Sequence, residues 1–256
     1  MQGIVVTGAS NGLGAALAAA YAAPGILLGL VGRDRARLEA VADACRAKGA
    51  QAEILVQDVA EAEPLAAWLL ALEDRAPLAL VIANAGISAG PQPGRYQEGL
   101  PQLNRQIATN LTGAINSIEP VLPRMIARRR GTVAIVSSIA ALRGLPYSPG
   151  YSASKAGLRA YGEAMRALLA PVGVKVCVIC PGFFDTAMTG DWRGPKPFNL
   201  PLEKAASRIR RGIDRGARRV TFPLLLVIGL RLVDLMPPVL GDAILRLFRF
   251  HIGARP

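Results

Sequence analysis

Tyr151 and Lys155 stand four residues apart, one turn from each other on one face of a predicted helix. A free tyrosine has a pKa of about 10 and is a poor base near neutrality. A neighbouring ammonium favours the phenolate and draws that value down, which makes the phenol usable as a general acid or base. Upstream, the apolar run Val133 to Val136 reads as a buried strand ending at Ser137-Ser138. A hydroxyl at that strand end, Ser138, can hydrogen-bond the oxygen whose proton the tyrosine handles. Taken alone, the pair is weak evidence, and a partly exposed aromatic beside a solvated lysine is the commoner reading. The elements in front of it decide.

Residues 3–7 form an apolar strand, followed by Gly8-Ala-Ser-Asn-Gly12-Leu-Gly14 and an alanine-rich helix over 13–23. Strand, glycine-rich turn and helix make an anion cradle, because backbone N–H groups and the positive helix end face a pyrophosphate. The second strand, 26–31, ends at Gly32-Arg33-Asp34. An acid in this place accepts from a free ribose 2′-OH, whereas an arginine accommodates a 2′-phosphate. Gly32 occupies the position of the acid and Arg33 follows, so a phosphorylated ribose is expected. Asp34 is better used as the N-cap of a helix over 35–48. A third strand, 52–56, leads to Asp58-Val59, and a helix over 62–75 follows. The continuous apolar run 78–83 suits a central parallel strand and ends in Asn84-Ala85-Gly86, small residues at the crevice where nucleotides bind. A long helix over 101–129 carries Asn110 within an apolar face, where a polar side chain needs a partner. The strand 174–180 runs into Pro181-Gly182 and a segment broken by proline and glycine up to Pro201. Such a loop is the natural lid of the cleft, and Phe183, Phe184, Met188, Trp192 and Phe198 give it an apolar character.

The chain has 256 residues, 52% of them apolar, which fits one large α/β domain. Its net charge of +12 favours an anionic partner. The three cysteines argue against a disulfide framework and fit a reducing, cytoplasmic setting. Cys177 and Cys180 lie in a strand at an odd separation and so point to opposite faces, as packed thiols. The lone histidine, His251, excludes a Ser-His-Asp triad and leaves no basis for a catalytic zinc or other metal. No signal peptide is expected, since the first strand starts almost at once.

Thr7-Gly8-Ala-Ser-Asn-Gly12-Leu-Gly14, Asp58-Val59, Asn84-Ala-Gly86, Asn110, Ser138, Tyr151-x-x-x-Lys155 and Pro181-Gly182 with Thr186, in this order, resemble the short-chain dehydrogenase/reductase family over residues 3–190. The glycine spacing is similar to the ~250-residue branch rather than to the sugar-nucleotide epimerases. The resemblance implies a Rossmann-type, doubly wound α/β fold with seven parallel strands, and hydride transfer between nicotinamide and a carbonyl or secondary alcohol. It implies Tyr151 as acid/base and Ser138 as the group binding the carbonyl oxygen. Lys155 would lower the tyrosine pKa and hold the nicotinamide ribose, and Asn110 would hold a water in the proton relay. The cofactor, NADP(H) in preference to NAD(H), would lie against Gly8, Ser10, Asn11, Gly12, Leu13, Gly14, Arg33, Asp58, Val59, Asn84, Ala85, Gly86, Tyr151, Lys155, Pro181, Gly182, Phe183 and Thr186. Asn11 departs from the basic residue that many NADP-users carry there, which rests the phosphate preference on Arg33. A homodimer or homotetramer is further implied.

The expected domains are a Rossmann unit over 1–222 and a helical extension over 223–256. Residues 204–219 hold six arginines and a lysine against one acid, Asp214. Two apolar runs follow, 222–230 and 240–250, each short of the roughly 20 residues that span a bilayer. In the second, Asp242, Arg246 and Arg249 share a stripe and apolar residues cover the rest. Such a helix packs on the protein or another subunit, covers a substrate pocket, or lies peripherally on the inner face of a membrane. No aromatic platform interleaves with the basic residues, so no nucleic-acid partner is expected. The leading reading is an NADP(H)-dependent oxidoreductase acting on a lipophilic ketone. The rival is a non-catalytic nucleotide-binding regulator or scaffold on the same fold, which would carry a degraded tetrad.

Overall fold

The computed structural model describes residues 1–256 apart from Pro93, Asp191, Arg249 and 253–256. Its first half alternates strand and helix: β1 Gln2–Thr7, α1 Gly12–Tyr21, β2 Ile26–Gly32, α2 Arg35–Arg46, β3 Gln51–Val56, α3 Ala62–Arg75 and β4 Leu78–Ala83. The middle holds α4 Leu100–Ile107, a π-helical turn Ala108–Thr112, α5 Gly113–Ile118, α6 Leu122–Ala127 and β5 Gly131–Val136. Then come a 3₁₀ turn Ile139–Ala141, α7 Pro149–Leu169 and β6 Val174–Pro181. The rest comprises α8 Ala187–Gly190, β7 Trp192–Arg193, α9 Leu202–Asp214, β8 Arg219–Phe222, α10 Leu224–Leu235, α11 Pro238–Leu247 and β9 His251–Ile252.

Seven strands form one parallel sheet in the order β3-β2-β1-β4-β5-β6-β8. Their Val/Ile/Leu runs are buried because helices cover both faces, which is what a parallel sheet requires. One face packs on α1, α2 and α9 through Leu17, Leu38 and Ile209, and the other on α3, α5 and α7 through Leu69, Ile118 and Leu158. The order reverses between β1 and β4. The loops leaving these strands therefore part there and open a crevice at their carboxyl ends. Cys177 belongs to the first of these clusters, and Cys45, Cys177 and Cys180 are free and buried. Asp34 caps α2, its carboxylate accepting from the Arg37 amide at 3.0 Å.

Two expected elements differ. The single helix over 101–129 is instead α4, the π turn, α5 and α6, with turns at 119–121. Pro120 explains the break, because it has no N–H to continue the ladder and its ring crowds the preceding turn. The second apolar run is helical only to Leu247. Beyond it Phe250 is buried among aromatic rings, and β9 pairs antiparallel with β7. Of the stripe expected there, Arg249 lies outside the described residues. Asp242 bonds Arg143 at 2.7 Å, which ties α11 to the loop after the 3₁₀ turn. Ile139, Leu142, Leu230 and Leu245 form a small apolar cluster of their own beneath α10 and α11. No helix among the described residues is long and apolar enough to cross a membrane.

Candidate active site

A cavity of about 470 Å³ lies at the carboxyl ends of β1, β4, β5 and β6. Its nucleotide-sized arm is built by the glycine turn after β1. Gly8 and Gly12 have φ of +66° and +53°, backbone that side chains rarely adopt. At Gly14 a Cβ would stand 2.2 Å from the Gly8 carbonyl oxygen, so only glycine lets α1 start this close to β1. Asn11 precedes the helix without capping it through its side chain. The amides of the first turn thus face the cavity as free donors. Asn84 locks the two strands together: its side-chain amide donates to the Thr7 carbonyl oxygen at 2.9 Å, and Thr7 Oγ1 accepts from the Asn84 and Ala85 amides at 3.1 Å. At the far end Arg33 reaches Asp58 at 3.5 Å, and both face the cavity. This cradle fits the phosphates and ribose of a dinucleotide. No acid stands at Gly32, where a Cβ would come within 3.3 Å of Ser10.

The proton-handling groups meet where β4, β5 and α7 converge. Lys155 is only 3% exposed. Its Nζ donates to the Val136 carbonyl oxygen at 2.9 Å and stands 5.8 Å from the Tyr151 ring centre. Burial without a carboxylate partner pulls its pKa from the usual 10.5 down to about 8. Burial likewise pushes the Tyr151 phenol up, while the Ser138 hydroxyl facing it works the other way. In the protein alone the tyrosine is thus held neutral, and Lys155 is not what dominates its proton affinity. Ser138 Oγ accepts from the Ala140 amide at 3.1 Å, which fixes the hydroxyl at the start of the 3₁₀ turn.

Asn110 sits at the centre of the π turn, fully buried. Its Oδ1 accepts from the Ile87 amide at 2.7 Å, and its Nδ2 donates to the Ile87 carbonyl oxygen and to Ser154 Oγ, both at 2.9 Å. Ser154 in turn donates to the Tyr151 carbonyl oxygen at 2.8 Å. Gly86 leaves a notch between these groups: a Cβ there would stand 3.2 Å from Asn110 Oδ1 and 3.3 Å from Lys155 Nζ. π turns are rare and concentrate at functional sites.

Of the residues singled out from sequence, Ser138, Tyr151 and Lys155 line the cavity, as do Gly8, Ser10, Asn11, Gly12, Leu13, Arg33, Asp58, Val59, Asn84, Ala85, Gly86, Pro181, Gly182, Phe183 and Thr186. Gly14 and Asn110 stand behind the wall and shape it. Phe183, Phe184, Met188 and Trp192 give the lid side its apolar surface, whereas Phe198 points away and is 52% exposed. Sequence reasoning did not assign Thr7, Ser154 or Ile252 to the site. Thr7 was legible as a buried hydroxyl at a strand end. Ile252 carries no local signal, since it reaches the cavity only through the fold of the tail.

The family model for short chain dehydrogenases matches residues 2–196. An "uncharacterized oxidoreductase" of Myxococcus xanthus is 38% identical over 248 residues, covering 96% of each chain. A ketoacyl reductase of Nostoc sp. is 34% identical over 196 residues, 76% of this chain and 68% of its own. Among solved structures, a short-chain dehydrogenase from Sphingobium yanoikuyae in complex with NADPH superposes with a TM-score of 0.80 at 25% identity, covering 97% of each chain. The chain belongs to the short-chain dehydrogenase/reductase family, nicotinamide-dependent oxidoreductases that interconvert carbonyl and alcohol groups of small molecules.

Proposed function

We propose that the protein is an NADPH-dependent reductase of a lipophilic ketone, working reversibly on the corresponding secondary alcohol. The observation that carries this reading is the meeting of Ser138, Tyr151 and Lys155 between the glycine cradle and an apolar lid. When bound, the reduced nicotinamide supplies a hydride to the carbonyl carbon. Ser138 and the Tyr151 phenol donate hydrogen bonds to the carbonyl oxygen, and Tyr151 gives it the proton as negative charge develops there. Lys155, still protonated below about pH 8, stabilises the phenolate left behind. Asn110 holds the Ile87 segment and Ser154 in place and keeps an Oδ1 lone pair for a water that returns the proton.

The preference for NADPH is supported by Arg33 facing the cavity beside an acid-free Gly32. The similar Sphingobium enzyme also binds NADPH. A panel of ketones assayed with both cofactors tests the whole reading. Tyr151→Phe should lower turnover by roughly 10²–10⁴-fold while NADPH still binds. Wild-type-like turnover by this variant would remove the assignment.

The tail adds a surface. Ten of the sixteen exposed large apolar side chains among the described residues lie between Leu224 and Phe248, on α10, α11 and the residues that end them, Met236 and Phe248. Patches of this kind are covered in use. In this reading a second copy of the chain or an anionic bilayer covers it, and salt separates the two. Lipid contact aided by arginines weakens as ionic strength rises, whereas an apolar subunit interface survives it. Co-sedimentation with anionic vesicles, beside the oligomeric mass of a chain truncated before Phe222, decides.

A further inference from the structure

Among the described residues, the last strand is the only element of the tail that lines the cavity. After α11 the chain turns back across the lid, and β9 pairs antiparallel with β7, Trp192 against Ile252 and Arg193 against His251. Two aromatic contacts hold this return, and a third braces Trp192 within the lid. Trp192 stacks on Phe250 with ring centres 3.7 Å apart and planes 15° from parallel. Phe250 meets Tyr147 edge-on at 5.3 Å, and Trp192 meets Phe183 edge-on at 5.0 Å. Phe250 and Ile252 are each 5% exposed. Ile252 and Trp192 both line the cavity. The floor under Ile252 is Gly90, whose missing Cβ would lie 3.8 Å from Ile252 Cδ1 and 2.3 Å from the Tyr147 carbonyl oxygen.

The cavity lining is mixed: Gln92, Gln102 and Arg105 supply polar groups, and Phe183, Trp192 and Ile252 supply apolar ones. Ile252 is brought there from some sixty positions beyond Trp192, held against the lid by two residues of strand.

We propose that the C-terminal strand is part of the substrate site, and that Ile252 together with Trp192 sets the size of the apolar substituent the ketone can carry. Phe250 is a positioning residue, since it orients Trp192 without lining the cavity. The proposal rests on the reading of the site as that of a carbonyl reductase, and the test separates the two. Dissociation constants of acetophenone, butyrophenone and benzophenone are measured by ligand-observed NMR on protein loaded with NADP⁺, where no reduction occurs. Ile252→Ala should move the ratio of affinities toward the bulkier ketones, and Ile252→Phe toward acetophenone. A few methylenes of pocket volume correspond to roughly tenfold or more in each direction. NADP⁺ affinity, measured alongside, should stay that of the wild type in both variants. Ratios within about twofold of wild type in both variants would overturn the proposal. A merely structural strand gives that result, because it weakens every ketone alike. Turnover of the same ketones by the wild type with NADPH reports on the reductase reading separately. Binding ratios that follow Ile252 without turnover leave the strand in the site and remove the reductase.

Discussion

Lys155→Met offers a test of the buried ammonium that does not depend on knowing the substrate. Lys155 is 3% exposed, and its pKa falls from 10.5 to about 8 because burial disfavours the charged form. Between these two values the unfolded chain binds a proton that the folded chain does not. Stability therefore rises with pH across this window. The contribution is complete above 10.5 and is lost as pH falls toward 8. Linkage over the shift gives a rise of roughly 2–3 kcal/mol between pH 7 and pH 10 for the wild type relative to Lys155→Met. At this chain length that corresponds to roughly 4–12 °C in Tm. The Tyr151 phenol and the Cys180 thiol, both pushed upward by burial, lower stability as pH rises through the upper part of this window, but both proteins carry them and the difference in Tm removes that common part. The variant also leaves the Val136 carbonyl oxygen without its donor, but that loss is the same at every pH. The assay is thermal unfolding of both cofactor-free proteins at half-unit steps, read as the difference in Tm. A difference that stays flat from pH 7 to pH 10 would refute the reasoning.

Arg33→Ala should reduce the preference for NADPH over NADH, and dissociation constants for the two cofactors measure it. Charge-assisted bonds to phosphate are worth about 1.5–3 kcal/mol, and the 57% exposure of the Arg33 side chain places the effect at the lower end of the range. Equal affinities in the wild type would count against the assignment. Gly14→Ala puts a Cβ 2.2 Å from the Gly8 carbonyl oxygen. Shifting the turn should cost about 1–3 kcal/mol and weaken NADPH binding correspondingly. An unchanged dissociation constant would show that the turn is slack. Asn110→Ala leaves the part-buried Ile87 amide without its acceptor and should destabilise by about 1–3 kcal/mol in urea, with activity lost beyond what the lower stability explains.

Local chemistry made most of the Rossmann unit legible. Alternating apolar runs and periodic helices placed β1 to β6 to within a residue or two. Glycine spacing marked the cradle, because only a turn that must approach a helix closely needs Gly8, Gly12 and Gly14 together. Asn110 was recognisable as a polar residue on an apolar face. Its π turn was not, since that turn arises from bonds to Ile87 and Ser154, which lie 23 and 44 residues away. Pro120 was a legible break that the strength of the surrounding periodicity masked. The fate of Phe250 and Ile252 was beyond local reading altogether. A short apolar run with helical spacing says nothing about a strand partner near residue 192, because that pairing is fixed by where α10 and α11 set the chain down.

A two-residue antiparallel ladder has little stability of its own. It persists here because both ends are delivered already close together, β7 by the lid and β9 by the helical hairpin pinned through Leu230, Leu245 and the Arg143–Asp242 pair. The lid and the tail should then open as one cooperative unit, separate from the seven-stranded core. In native-state hydrogen exchange, amides of 192–193 and 251–252 should exchange together with α10 and α11, at an opening free energy well below that of β1 and β4. The rate at which product leaves the cavity would then be governed by how firmly a distant pair of helices is seated rather than by the loop that covers it.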